Sequence, residues 1–144
     1  MKDAFGNAFS IYLFMFFFIV YVCFIGVALN FAKTYRVKNS VINILEQEQY
    51  DGSTNSSALG MISGYLSSVP YKVDSTLISD SCKKMAGDNN SYYVHDGVCI
   101  ISQGDVINRY YKVVVYFSAE FPFLLGNNSA ITIPISGETT VISD

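Results

Sequence analysis

His95 is the chain's one histidine, and the chain has no tryptophan. A zinc site would need cysteine or carboxylate partners, but Cys82 and Cys99 lack C-x-x-C spacing, so His95 reads as a strand-end residue beside a turn. Gly60-Met61-Ile62-Ser63-Gly64 is not the G-x-S-x-G order that exposes a nucleophilic serine. Neither a phosphate-cradling glycine loop nor H-E-x-x-H occurs. Asp88-Asn89-Asn90-Ser91 carries oxygens of the calcium-binding type without the D-x-[DN]-x-[DN]-G spacing, and reads as a solvated turn. Asn55, Asn89 and Asn127 lie in N-x-[ST] sequons, which a Ser- and Asn-rich chain produces by chance. The residues therefore predict no catalytic group, no cofactor, no metal and no small-molecule substrate.

The remaining reactive side chains are three cysteines. Cys82 and Cys99 are seventeen residues apart in the polar part of the chain, while Cys23 lies within an apolar run. If the polar part is exported, Cys82 and Cys99 form one disulfide, worth about 3 kcal/mol in the chain-entropy picture. The alternative is two reduced, buried thiols.

The elements that hold these residues follow from an uneven composition. Of 144 residues 51% are hydrophobic and 15% charged, against roughly 25% charged in an ordinary soluble domain. Residues 8–29 contain no charge. As a helix they span about 33 Å, enough for a hydrocarbon core of about 30 Å. The run exceeds the h-region of a signal peptide, and Asn30-Phe31-Ala32 offers no small-residue exit. We read an uncleaved single span, with residues 1–7 as a leader or cytoplasmic tail and residues 8–32 as the transmembrane helix. No second run of that length exists, so a polytopic transporter is excluded. The net charge of −3 leaves no basic nucleic-acid footprint.

Orientation draws on two opposed signals. Lys33, Arg36 and Lys38 follow the span, and the positive-inside rule alone would put them in the cytosol. From Glu46 onward, however, five basic residues face eleven acidic ones, amid many Ser, Thr, Asn and Tyr. We expect the cell membrane, with the N-terminus cytoplasmic and the C-terminal domain outside.

Beyond the span neither Gly nor Pro interrupts the chain before Gly52. Val37, Val41, Ile44 and Leu45 repeat at i, i+4, i+7 and i+8, one face of a helix that continues through residues 33–50. Lys38, Asn39, Asn43, Glu46 and Gln47 fall largely elsewhere on the wheel. One helix over about residues 9–49 is expected. Asp51-Gly52-Ser53 opens a loop. Asn55 or Ser56 caps a second helix over about residues 58–68, with Leu59, Ile62, Tyr65 and Leu66 as its apolar stripe and Pro70 after its end.

After Pro70 the texture predicts strands. Tyr92-Tyr93-Val94-His95 and Val98-Cys99-Ile100-Ile101 flank the hairpin signal Asp96-Gly97. Residues 106–117 form a third strand, 118–129 a loop, and 131–135 with 139–142 a last strand or strand pair. Pro134 marks an edge or a bulge. The expected fold class is α+β: a long N-terminal helix, half transmembrane and half exposed, packed against a small antiparallel sheet, with residues 51–144 as the exported domain. Within the span, Gly26 and the pair Ala28 and Ala32 offer close approach to another helix, or else face lipid.

This layout of short polar leader, glycine, long apolar helix and small β domain resembles the type IV pilin-like proteins, and among them the TadE-like pseudopilins of tight-adherence systems. Lys2-Asp3-Ala4-Phe5-Gly6-Asn7-Ala8 resembles their leader ending in Gly. The segments Tyr111-Lys112-Val113-Val114-Val115-Tyr116, Phe121-Pro122-Phe123-Leu124-Leu125 and Ile131-Thr132-Ile133-Pro134-Ile135-Ser136-Gly137-Glu138 resemble their strand, Pro-containing loop and final strand. The resemblance implies processing after Gly6, with Asn7 as the mature first residue. It implies partners too: other pilin-like subunits or assembly-platform proteins, met through the N-terminal helix. The family usually carries a Glu five residues after that Gly; here the place is Ile11. That departure implies a tip, initiation or anchored subunit.

Three functions compete. The first is a non-enzymatic pilin-like minor subunit in pilus or secretion-apparatus assembly or adhesion. In it Gly26, Ala28, Ala32, Val37, Val41, Ile44 and Leu45 are the helix-packing or assembly face. The second is a single-pass membrane-anchored extracellular binding protein unrelated to pili. The third, an anchored enzyme, lacks any catalytic constellation.

Overall fold

A computed structural model describes residues 2–53, 56–69, 71, 73, 75–87, 90–104, 108–120 and 130–141. Helix α1 runs without a break over Lys2–Gln47, about 69 Å at 1.5 Å per residue. Its described side chains from Ala8 to Lys33 are exposed, save half-buried Val27. From Thr34 the helix turns one face inward, where Thr34, Val37, Lys38, Val41 and Leu45 are buried.

The end of α1 is set by Gln49, not by the Asp51-Gly52 pair. Gln49 adopts φ 44°, and the Tyr50 N–H donates to the Leu45 carbonyl at 3.1 Å. This is the six-to-one bond of a Schellman cap, and Tyr50 and Leu45 share the same core, as that motif favours.

Helix α2 (Ser57–Ser68) buries Ala58, Leu59, Ile62 and Leu66, while Tyr65 packs at the margin. Ser56 stands at its N-cap without a side-chain cap bond. Asn55 and Pro70 lie outside the described residues. The next segment corrects the expectation of strands throughout: α3 (Ser75–Ala86) is a helix. It buries Ile78, Cys82 and Ala86, at i, i+4 and i+8.

Four strands follow among the described residues: β1 (Tyr92–His95), β2 (Val98–Gly104), β3 (Arg109–Glu120) and β4 (Ala130–Glu138). They form an antiparallel meander in the order β1-β2-β3-β4. Asp96 at φ 42° and Gly97 at φ 86° make the tight β1–β2 turn. β3 starts later than residue 106, which lies outside the described residues, and runs on through Ser118. Ile131–Ile135 belongs to a single last strand; Thr139, Thr140 and Val141 follow it as irregular chain.

The sheet separates two apolar layers. Val98, Ile100, Tyr111, Val113 and Val115 face α1 and α2. Cys99, Ile101, Val114 and Tyr116 face α3. This alternation is the period of two that a pleated strand requires. The molecule is thus α+β, with a long N-terminal helix packed against a small four-stranded antiparallel sheet. The outer half of α1 shares one core with α2 and the sheet, so residues 33–50 fold with the C-terminal part.

Candidate functional site: two faces of one helix

The helix α1 divides into a bare apolar length and a covered length. The bare part is long and apolar enough to cross a membrane. Among the described residues it is the one such helix, and no part of the apolar window is buried. Phe14, Phe16, Phe17, Phe18, Tyr21 and Phe24 all project outward. An unbroken sleeve of this kind is stable in lipid and costly in water.

The covered part meets β3 and β4. Val37, Val41 and Leu45 lie under the chain's own sheet, and Ile44 packs at the margin of the same core. Val37, Val41 and Leu45 are thus covered within the chain, and Ile44 is half-buried. Lys38 departs from the polar-side expectation: it is only 8% exposed. Gly137 explains this. A Cβ built there would come within 2.8 Å of Ile42 Cδ1 and 3.1 Å of Lys38 Cδ. The missing side chain makes room for the lysine stem. The ammonium Nζ ends 4.0 Å from the centre of the Tyr35 ring, in cation–π range. Sequence reading missed Lys38 because a helical wheel ranks residues by polarity and does not see the alkyl stem.

Beyond β4 the chain is tied down again. Thr139 exchanges bonds with Tyr111, donating from its N–H to the carbonyl and accepting the Tyr111 N–H on Oγ1, both at 2.9 Å. Thr140 donates its N–H to Glu46 Oε1 at 2.7 Å and its hydroxyl to the same oxygen at 3.1 Å.

Of the small residues proposed for close approach, Gly26, Ala28 and Ala32 are all exposed, and a Cβ on Gly26 would meet nothing within 4 Å. At about 100° per residue, Ala28 and Ala32 share one side of α1, turned away from the sheet-facing line through Phe31, Thr34 and Lys38. Gly26 falls on the other flank. The helix therefore brings two of the three together. Gly6 and Asn7 are helical in backbone, within α1.

Cys82 and Cys99 form the disulfide, with Cα atoms 5.9 Å apart, and clamp α3 to the second face of the sheet. Cys23 is a free thiol on the exposed apolar length. His95 stacks on Tyr93 at 6.2 Å and places Nε2 3.3 Å from Asp96 Oδ2. Among the described residues no group of three His, Cys, Asp or Glu side chains is placed to hold a metal. Asp88 and the three sequon asparagines, Asn55, Asn89 and Asn127, lie outside the described residues.

Tyr71 is a buried residue that the sequence did not single out. Its hydroxyl donates to the Tyr116 carbonyl at 2.6 Å and accepts the Tyr116 N–H at 3.1 Å. It thereby stands in for a strand just before β2 begins at Val98, the partner of Val115. Burial holds its hydroxyl well above the usual tyrosine range. Tyr50 is pushed up to about 12, mainly by burial and then by its neighbours Tyr111 and Asp51. Since Tyr116 spends its polar groups toward Gly97 and Tyr71, its β4 partner Pro134 turns its nitrogen to the sheet's free edge. An edge without that donor is a poor template for an added strand.

No known protein family, curated protein or solved structure matches the chain.

Proposed function

We propose that the chain is a non-enzymatic pilin-like subunit, a minor pseudopilin taking part in pilus or secretion-apparatus assembly or adhesion. The observation that carries this reading is the division of α1. One uninterrupted helix leaves about 26 apolar-rich positions bare and then plugs its next three turns into a sheet of the same chain. A simple tether needs no rigid continuation from membrane to domain. A subunit that packs beside others in register does, because a stiff helix transmits position where a loop does not.

In this reading the bare length sits in the cell membrane, with the N-terminus cytoplasmic and the sheet domain outside. The Cys82–Cys99 disulfide supports the outward side, since such bonds persist in oxidising compartments. Ala28 and Ala32 supply the line of close approach for a neighbouring helix. Partners are other pilin-like subunits or assembly-platform proteins.

A second reading is a single-pass anchored binding protein unrelated to pili. The observation that favours it is Ile11 at the position where the family places a Glu. The mass of the mature chain taken from cells separates the two. A chain beginning at Asn7 supports the pilin-like reading; retention of residues 1–6 overturns processing and favours the anchor.

A further inference from the structure

The sheet does not begin where the apolar run ends; it overlaps it. Phe31, two residues past the run, packs edge-on against Phe117 of β3 with ring centroids 6.2 Å apart. Phe117 pairs with Ile133 of β4. Four residues further along β4, Gly137 lies against Lys38 and Ile42. Those four strand residues cover about 13 Å, and the helix from Phe31 to the level of Lys38 and Ile42 covers a similar length. The strands and α1 therefore run side by side, β4 along the helix direction and β3 against it.

Both strands continue past that contact toward the apolar run. β3 extends from Phe117 to Glu120, and β4 begins at Ala130, three residues before Ile133. Three strand residues reach about 10 Å, which is the rise of six to seven helix residues. The strand ends thus stand level with about Phe24 and Ile25, inside the uncharged segment. A separate observation agrees. Val27 is the one half-buried described side chain between Ala8 and Lys33, and it lies on the same side of α1 as Phe31 and Thr34.

Around the Phe31–Phe117 contact the described surface carries exposed apolar and aromatic side chains. Ile133 is 49% exposed, Phe31 50% and Tyr35 46%. Lys33 and Arg36 are exposed at a similar height on other sides of α1. Aromatic rings with flanking basic residues are the composition that settles at the headgroup level of a bilayer. Residues 4–32 carry no charge and rise about 43 Å, roughly 13 Å more than a hydrocarbon core of about 30 Å, which leaves residues 25–32 room in the headgroup layer, where polar strand edges still find water.

We propose that the end of the sheet formed by the last residues of β3 and the first residues of β4 is seated in the headgroup layer of the membrane that α1 crosses. The protein then touches the bilayer twice, through the helix and through the sheet tip, and the domain has a fixed tilt and height. The occupant of this surface is lipid, because the surface is continuous with the bare length of α1. The proposal rests on α1 being the anchor and holds for either orientation of the chain.

The test uses the full chain in phosphatidylcholine–phosphatidylglycerol vesicles, in a Cys23→Ser background with the disulfide intact. Nitroxide labels are placed singly on Ile133→Cys, Ser118→Cys, Glu138→Cys and Met15→Cys. Collision with oxygen is compared with collision with a polar nickel chelate. Met15 should be strongly oxygen-favoured, and Glu138, exposed farther along β4, should be chelate-favoured. The oxygen-to-chelate ratio at Ile133 should exceed that at Glu138 severalfold, with Ser118, paired with Thr132 at the same level, following it. If Met15 reads as lipid while Ile133 and Ser118 match Glu138, the sheet tip stands in water and the proposal fails, leaving the anchor intact. If Met15 itself reads as water, the anchor reading fails and the proposal with it.

Discussion

Tyr71 shows how much one hydroxyl can hold. It accepts the Tyr116 N–H, shared with the Gly97 carbonyl at 3.4 Å, and donates to the Tyr116 carbonyl, where no strand residue pairs on that side. Tyr71→Phe leaves them without that oxygen and should lower stability by about 1–3 kcal/mol in denaturant titration of the detergent-solubilised protein. Tyr92→Phe, at an exposed position, should change it negligibly. The buried tyrosines also set an alkaline limit. Tyr50 is pushed up to about 12 from 10.0, and Tyr71 is raised as well. In the unfolded chain these groups ionise near their ordinary value. As pH climbs past about 10 the unfolded state loses protons that the folded state keeps, so stability is full below that pH and falls above it. Unfolding followed by circular dichroism, beside tyrosinate absorbance, should show the loss beginning near pH 10 and before the folded protein's own buried tyrosines titrate.

Among the elements, the outer half of α1 and the helix α3 make separable contributions. Val41 is 0% exposed beneath the sheet. Val41→Asp buries a carboxylate without a partner and should destabilise the domain by about 3 kcal/mol or more, seen as rapid digestion in limited proteolysis. A protease-resistant Val41→Asp monomer would instead mark the stripe as a partner surface. Lys38→Asp removes the stem that fills the space above Gly137 and should cost about 1–2 kcal/mol, whereas Asn39→Asp on the exposed side should stay within about 0.5 kcal/mol. Among its described side chains α3 is held by buried Ile78 and Ala86 and by the Cys82–Cys99 disulfide. Cys82→Ser should weaken the fold by about 3 kcal/mol. In hydrogen exchange the loss should concentrate in α3, with β3 amides remaining the slowest. Thiol labelling of the denatured natural protein should find one free thiol, Cys23.

For the whole molecule, the bare length of α1 and its Ile11 position govern the proposed assembly. Ile11 is exposed on the apolar sleeve. A carboxylate there costs up to about 3 kcal/mol toward the bilayer interior unless a neighbouring subunit's amino group pairs with it. In a subunit that works without that acid, Ile11→Glu should leave assembly unchanged or reduce it, as counted in sheared surface fractions by immunoblot. Increased assembly would show that the subunit accepts a regular filament position.

Linear features of the chain were legible because their physics is local. An uncharged run is matched to bilayer thickness by counting residues, and Asp96-Gly97 between alternating strands selects its turn through φ > 0 alone. The spacing of Val37, Val41 and Leu45 announces a covered face, and two cysteines outside the apolar run allow one pairing. Tertiary structure decided what depends on residues distant in sequence. α3 is not legible locally because its described buried side chains, Ile78, Cys82 and Ala86, are spread through a polar segment, and the surface that stabilises them, Cys99, Ile101, Val114 and Tyr116, exists only after the sheet has formed. Lys38 is buried because Gly137, far along the chain, has no side chain to exclude it. Tyr71 acquires its role because β2 begins only at Val98, opposite Val115, and leaves Tyr116 beyond it. Such contacts form because folding closes long loops to bury apolar area, and no local pattern records which loop closes on which face.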